Sequence, residues 1–175
     1  MAHPQQTTFI KNLSTCFPQY FSSSRVLEIG SLNINGTIRD YFTNCDYTGI
    51  DVGSGPGVDV VCCGSEYKSE VLFDITVSTE CFEHNPRWQE TFQNMIDLTI
   101  SGGLVIVTVA STGRPEHGTN RTSPSDSPHT SDIDYYKNLT VKDFAVNWNL
   151  EEIFSDFRFE YYSGVSDLYF LGTKK

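Results

Sequence analysis

The feature that most constrains this chain is the run Leu104-Val-Ile-Val-Thr-Val-Ala110, which follows the pair Gly102-Gly103. Seven uncharged residues rich in β-branched side chains read as a strand buried on both faces. Burial on both faces is characteristic of parallel sheets covered by helices on either side. Two shorter runs have the same character: Arg25-Val-Leu-Glu-Ile-Gly30 ends at an acid and a glycine, and Tyr47-Thr-Gly-Ile-Asp51-Val52 ends on an acid. Val58–Cys62 and Phe73–Thr79 supply two further strands. Between them, Ile38 and Phe42 stand four apart and predict a helix over 34–42. Phe92, Met95, Ile96 and Thr99 predict another from Pro86 to about Ile100, with the proline in its first turn and Gly102-Gly103 closing it.

Both ends extend this alternation. Phe9, Leu13 and Phe17 predict an amphipathic helix that stops near Pro18 and lies over the sheet edge. A helix over Val141–Phe154 leads into strands Phe157–Tyr162 and Leu168–Thr173, and so short a turn between them makes the pair antiparallel. The expected fold class is therefore α/β: a three-layer α/β/α sandwich whose seven-stranded, mostly parallel sheet runs 3-2-1-4-5-7-6 with strand 7 antiparallel. At 175 residues one domain is expected. It divides into an N-terminal helix (1–24), a core (25–110), a loop (111–138), and a C-terminal helix with hairpin (139–175). The loop is rich in Ser, Thr, Pro, Gly and Asp and leaves a central strand at its carboxyl end. A loop of that length at that end of a wound sheet is expected to overhang a site.

With 38% apolar and 19% charged residues the composition is that of a globular protein. A net charge of −10, with 12 Lys and Arg that form no run, makes nucleic acid an unlikely partner. No stretch approaches the roughly 20 apolar residues of a membrane span. Cys16, Cys45, Cys62, Cys63 and Cys81 form an odd set with no CxxC spacing and no export signal ahead of it, so reduced thiols and a cytoplasmic location are expected. The sequence does not speak to oligomeric state.

Asp51 follows Glu28 by 23 positions. An acid at the second strand end can accept hydrogen bonds from a ribose diol, and a glycine after the first strand lets a ligand approach the backbone. The runs Val26-Leu-Glu-Ile-Gly30, Tyr47-Thr-Gly-Ile-Asp51 and Phe73-Asp-Ile-Thr-Val-Ser-Thr-Glu-Cys-Phe-Glu-His84, followed by Gly102-Gly-Leu-Val-Ile-Val-Thr108, resemble in order the motifs of class I, Rossmann-like S-adenosylmethionine-dependent methyltransferases of the type 11-like group. The resemblance covers roughly Arg25 to Ala110. It implies S-adenosyl-L-methionine as cofactor, with S-adenosyl-L-homocysteine as product. It further implies that Gly30, Ser31, Leu32 and Asn33 lie against the methionine part, with Glu28 at its floor. Asp51 is implied on the ribose, Val52 on the adenine, Cys63 and Gly64 beside the adenine, and Thr79 and Glu80 at the sulfonium end. Two departures stand out. Leu32 and Ile34 occupy places where glycines are more usual, and Cys62-Cys63-Gly64-Ser65 replaces a usual adenine-facing acid, so adenine recognition would fall to backbone groups or Ser65.

Alignment and desolvation can supply much of the acceleration of methyl transfer, so no catalytic motif is required. If the acceptor is a hydroxyl, His84 and His117 are the candidate bases. Arg114, His117, Tyr135 and Tyr136 are the expected acceptor contacts from the loop. The acceptor is expected to be a small or medium molecule, and O-, N- and C-methylation remain open. His84, His117, His129 and Asp126 show no metal-ligand spacing, and no metal is expected. The alternatives are a noncatalytic methyltransferase-like binding module, or a nucleotide-sugar or dinucleotide enzyme on a related sheet.

Overall fold

A computed structural model describes residues 3–175; Met1 and Ala2, which open the stretch assigned to the N-terminal helix, lie outside the described residues. The strands are β1 Arg25–Ile29, β2 Asp46–Asp51, β3 Val60–Val61, β4 Phe73–Thr79, β5 Thr99–Ala110, β6 Phe154–Tyr162 and β7 Asp167–Lys174. The helices are α1 Pro4–Cys16, α2 Pro18–Phe21, α3 Trp88–Leu98, α4 Val141–Ala145 and α5 Leu150–Ile153. Among the described residues the strands form one sheet in the order β3-β2-β1-β4-β5-β7-β6. β1 to β5 pair in parallel, and β7 runs antiparallel to both β5 and β6.

Alternation along the strands sends side chains to two separate cores. Leu27, Ile29, Val105, Val107 and Phe170 face α3, where Phe92 and Met95 are fully buried beside Phe144 and Leu150. Val26, Ile75, Val77, Leu104, Ile106 and Tyr169 face the other way, onto Phe9, Ile10 and Leu13 of α1. Thus α1 covers a central face of the sheet, which corrects the expectation from the sequence that it lies over the sheet edge. Its Gln6 donates a buried 2.7 Å hydrogen bond to Asp167 at the start of β7.

Several predicted elements are shorter than their apolar patterns suggest. The segment 34–42 contains only a 3-10 turn at Arg39–Tyr41. Ile38 is fully buried and Phe42 stacks on Phe21 with ring centroids 4.6 Å apart, so the two apolar residues four apart are anchors of an irregular path. Asn33, Asn35 and Gly36 around Ile34 disfavour a helix there. Helix α3 starts at Trp88, because Phe82–His84 forms a separate 3-10 turn and Pro86 falls before the helix. Gly102 and Gly103 do not close it. The helix ends at Leu98, and the two glycines form an irregularity inside β5, where Gly102 takes φ +79° and the register against β4 jumps from Thr99 to Leu104. A β-carbon on Gly103 would meet the Asp74 carbonyl at 2.8 Å. The predicted helix over 141–154 is split into α4 and α5 by Trp148. Its ring packs 4.8 Å from Phe92 and its Nε1 donates to Gln93 Oε1 at 2.8 Å, contacts made from the break between the two helices. No helix among the described residues is long and apolar enough to cross a membrane.

Candidate active site

The carboxyl ends of β1, β2 and β4 open onto a cavity of about 900 Å³, its mouth included. A crevice at this end of a wound sheet is where ligands of such folds bind. Ile29 and Gly30 reach it from β1, Ile50, Asp51 and Val52 from β2, and Glu80 and Cys81 from the end of β4. Leu32, Ile34, Cys62, Cys63 and Gly64 continue the lining, as do His84, Asn85, Pro86 and Arg87. Asp126–Thr130 and Ile133 bring the long loop onto the same cavity.

Local geometry explains why particular residues stand there. Gly30 takes φ +78°, and a β-carbon on it would lie 2.7 Å from the Cys81 β-carbon, so only glycine lets the β1 and β4 ends approach this closely. The Asp51 carboxylate is held in place by the Leu32 N–H, which donates to Oδ2 at 3.3 Å, and by the Gly53 N–H, which donates to Oδ1 at 3.2 Å. The turn after β1 is reshaped as its missing glycines imply. The Leu32 side chain seats under Gly55, whose β-carbon would meet it at 2.4 Å, and the Asn33 N–H donates to the Pro56 carbonyl at 2.8 Å.

The loop reaches across to this region. The His129 ring lies where a Gly53 β-carbon would be, 2.2 Å from its Cγ, and Nε2 stands 3.1 Å from the Ser54 carbonyl oxygen. At the foot of the loop, Arg114 donates to the Val165 carbonyl at 2.9 Å and pairs with Asp167 at 3.4 Å. Asn138 Nδ2 donates to the Arg114 carbonyl at 2.9 Å.

The electrostatics are dominated by buried groups. Glu80 sits in the left-handed region at φ +48°, is buried, and among the described residues neither carboxylate oxygen has a hydrogen-bond partner. Burial, followed by the charge of Glu83, raises its carboxyl well above the usual range. His84 is 4% exposed with both ring nitrogens unpartnered among the described residues. Burial and then neighbouring His117 lower it to about 3, so its ring is neutral near physiological pH and less basic than a free imidazole. His117 is half-buried; its ring centroid is 4.9 Å from that of His84, and its Nδ1 lies 3.1 Å from the Pro115 carbonyl.

Gly30, Leu32, Asp51, Val52, Cys63, Gly64 and Glu80 thus share the cavity, together with His84. Glu28 does not line it. Its carboxylate turns toward Tyr47, whose hydroxyl donates to Oε2 at 2.7 Å, and burial raises the Glu28 carboxyl to about 7. Ser31, Asn33 and Thr79 also fall outside the lining: the Ser31 N–H donates to the Ile50 carbonyl, and Thr79 lies within the β4–β5 ladder. Ser65 pairs with Cys63 at 3.1 Å and is likewise outside. Of the loop residues expected to meet an acceptor, Arg114, His117, Tyr135 and Tyr136 do not line the cavity. Arg114 anchors the loop foot, and the Tyr136 ring packs 5.6 Å from His84 and 5.1 Å from His117 while its hydroxyl donates to Pro115. The loop contributes Ser127, Pro128 and His129 instead. Gly53, which leaves room for the His129 ring, is the one sequence signal that foreshadows this contact.

Neither a protein-family model nor a curated protein matches the sequence. Solved structures match its fold across nearly the whole chain. The Burkholderia thailandensis 1,6-didemethyltoxoflavin-N1-methyltransferase, solved with 1,6-didemethyltoxoflavin and S-adenosylhomocysteine, is similar with TM-score 0.61 and 15% identity over 100% of this chain and 92% of its own. The Bradyrhizobium japonicum N-methyltransferase NodS, in complex with S-adenosylhomocysteine, is similar with TM-score 0.62 and 13% identity over 98% and 88%. The Haemonchus contortus phosphoethanolamine N-methyltransferase 2 is similar with TM-score 0.67 and 18% identity over 98% of this chain and 52% of its own. The strand order, the reversed β7 and these likenesses together establish that the chain has the class I, Rossmann-like methyltransferase fold.

Proposed function

We infer that this protein is an S-adenosylmethionine-dependent methyltransferase acting on a small or medium acceptor. The observation that carries the reading is the Asp51 carboxylate, fixed by two backbone N–H groups at the edge of a mostly apolar cavity at the carboxyl end of β2. The residues present fit the cofactor. Asp51 would accept from the ribose hydroxyls, while Ile50, Val52 and Leu32 offer apolar surface to the adenine, with the backbone of Cys63 and Gly64 beside it. Glu80, a buried carboxyl without a partner among the described residues, holds its proton in these surroundings and would ionise beside a cationic sulfonium or ammonium, whose charge would then be matched. When bound, S-adenosylmethionine supplies a methyl carbon activated by its sulfonium. The chain's own contribution is to hold that end near Gly30 and Glu80, to align an acceptor entering beside His84, and to exclude water with the loop. With its basicity lowered, His84 serves better to position an acceptor through its ring nitrogens than to remove a tightly held proton.

The likeness to N-methyltransferases supports methyl transfer as the reaction class and leaves the acceptor atom open. Calorimetry with S-adenosylmethionine, S-adenosylhomocysteine and a nicotinamide dinucleotide tests the reading. Binding of the first two and not the third is expected; binding of the dinucleotide alone would overturn it. A methyl-transfer screen across metabolite pools then separates an enzyme from a binding module, since a module binds the cofactor and transfers to nothing.

A further inference from the structure

Beside the cavity, Glu83, His84 and His117 converge so that one ligand atom from each lies within 4.8 Å of the others. Two imidazoles and a carboxylate from two segments are an uncommon grouping to leave with unpartnered polar atoms in a protein interior, where polar groups are almost always partnered. Here His84 is 4% exposed, and among the described residues neither ring nitrogen has a partner; Glu83 Oε2 has none either.

Two of the side chains are also held in place. The Glu83 carboxylate is held by the Ala110 N–H, which donates to Oε1 at 3.4 Å, while Oε2 has no partner among the described residues. His117 Nδ1 lies 3.1 Å from the Pro115 carbonyl. A carbonyl only accepts, so Nδ1 carries the proton and the Nε2 lone pair is free. Metal-bound histidines are oriented by this kind of backbone bond on the other ring nitrogen. The Tyr136 ring covers both histidines, and Gly118, at φ +66°, lies so close that a β-carbon on it would meet His84 Cε1 at 2.7 Å. Glu80, within electrostatic reach of Glu83, adds a second buried carboxylate to the same region.

We propose that Glu83, His84 and His117 bind one divalent first-row transition metal ion, with open coordination positions toward the cavity that His84 lines. Mixed imidazole and carboxylate ligands favour ions such as Zn²⁺, Mn²⁺ or Co²⁺ over Mg²⁺ or Ca²⁺, which take oxygen donors. Tetrahedral ligation at about 2.1 Å puts ligand atoms about 3.4 Å apart, so from the present spread of up to 4.8 Å rotation of the three side chains has to close the group by up to about 1.4 Å. An ion there would balance the two buried carboxylates. On the methyltransferase reading, on which this part rests, its open position would take an oxygen or nitrogen of the acceptor and lower that atom's pKa.

The experiment is metal binding alone, with no cofactor or acceptor, so its outcome is independent of whether the chain transfers methyl groups. Protein freed of metal by a chelator is titrated with Zn²⁺ in a calorimeter, and its Co²⁺ complex is examined by visible absorption. One ion per chain is expected, with Co²⁺ d–d bands. Affinity should fall at least 100-fold in Glu83→Gln and in His117→Ala, whose ring is only half-buried, while both variants keep the wild-type circular dichroism. Cys16→Ser, which changes an exposed thiol on α1 outside the group, should bind as the wild type does. Absence of stoichiometric binding by folded wild-type protein, or binding that survives both ligand substitutions, would overturn the proposal. If the two ligand variants fail to fold, loss of the Co²⁺ bands on diethylpyrocarbonate modification of His117 in the wild-type protein, and its prevention by bound Zn²⁺, serves as the second measurement; bands unchanged after that modification count against it.

Discussion

Replacing Glu28 by Gln should stabilise the protein, and chiefly at high pH. Glu28 is 4% exposed on β1, and Tyr47 is its only hydrogen-bond partner among the described side chains, at 2.7 Å. Burial raises its carboxyl from 4.5 to about 7 in spite of that bond. Because the folded-state value lies above the unfolded one, the native chain holds the proton more tightly than the unfolded chain. Stability associated with this group is therefore complete below about pH 4.5 and declines as pH rises to about 7, above which the loss is full. At about 1.4 kcal/mol for each tenfold step, the difference amounts to about 3 kcal/mol. A glutamine at 28 has the same shape, can still accept from Tyr47, and does not titrate. The variant should exceed the wild type by only about 1 kcal/mol at pH 5 and by about 3 kcal/mol at pH 8, the latter a rise in Tm of about 6 to 12 °C for a domain of this size. Denaturant melts of both proteins at pH 5, 6.5 and 8 measure this, and the contributions of Glu80, Glu83 and Asp167 cancel in the comparison. A stability difference that does not vary with pH, or a glutamine variant less stable at pH 8, would show that the β1 carboxylate is ionised and favourably held.

Asp51→Ala should weaken S-adenosylmethionine binding by about ten-fold or more, since each charge-assisted bond to the ribose is worth about 1.5 to 3 kcal/mol; calorimetry of the folded variant with unchanged affinity would move the ribose elsewhere. Gly49→Ala places a β-carbon 2.4 Å from the Gly57 carbonyl, and should cost about 1 to 3 kcal/mol or more in a urea melt, a loss that wild-type stability would contradict. Phe92→Ala empties the fully buried centre of the α3 core and should cost about 3 to 5 kcal/mol by the same measurement. Tyr136→Phe removes the hydroxyl that donates to Pro115 and should lower methyl transfer, once an acceptor is known, while keeping most cofactor affinity; full turnover would assign the residue to packing alone.

The parallel core is legible in the sequence because both of its faces are covered. Leu104–Ala110 is buried on two sides, and a nearly continuous apolar run of that kind has few other uses. Asp51 and Gly30 are legible because their places at strand ends follow from the same runs. The segment 34–42 is not, since Ile38 and Phe42 satisfy a helical spacing while serving as separate anchors against the α1 core. Trp148 carries no marker of the break it occupies, because its partners Phe92 and Gln93 lie more than 50 positions away. For the same reason Glu83, His84 and His117 do not read as a group: two are adjacent, and the third arrives through a loop whose path has no periodicity. Glu28 shows the limit in the other direction, where a motif position is occupied by the expected acid but its carboxylate turns away from the cavity toward Tyr47.

The Asn138 bond to the Arg114 carbonyl ties the two feet of the long loop together, and Arg114 is itself fastened to Val165 and Asp167 at the head of β7. The entropy of closing this segment is thereby met at its base, so the tip around His129 is tethered to the body, among the described residues, by the His129 ring on Gly53 and its hydrogen bond with the Ser54 carbonyl. A tip held this way can lift on its own while the sheet stays shut. Slow amide exchange in β5 and β7 should therefore persist while that of 120–134 speeds up, and the dwell time of whatever lies beneath would be set by the lifetime of a single imidazole contact.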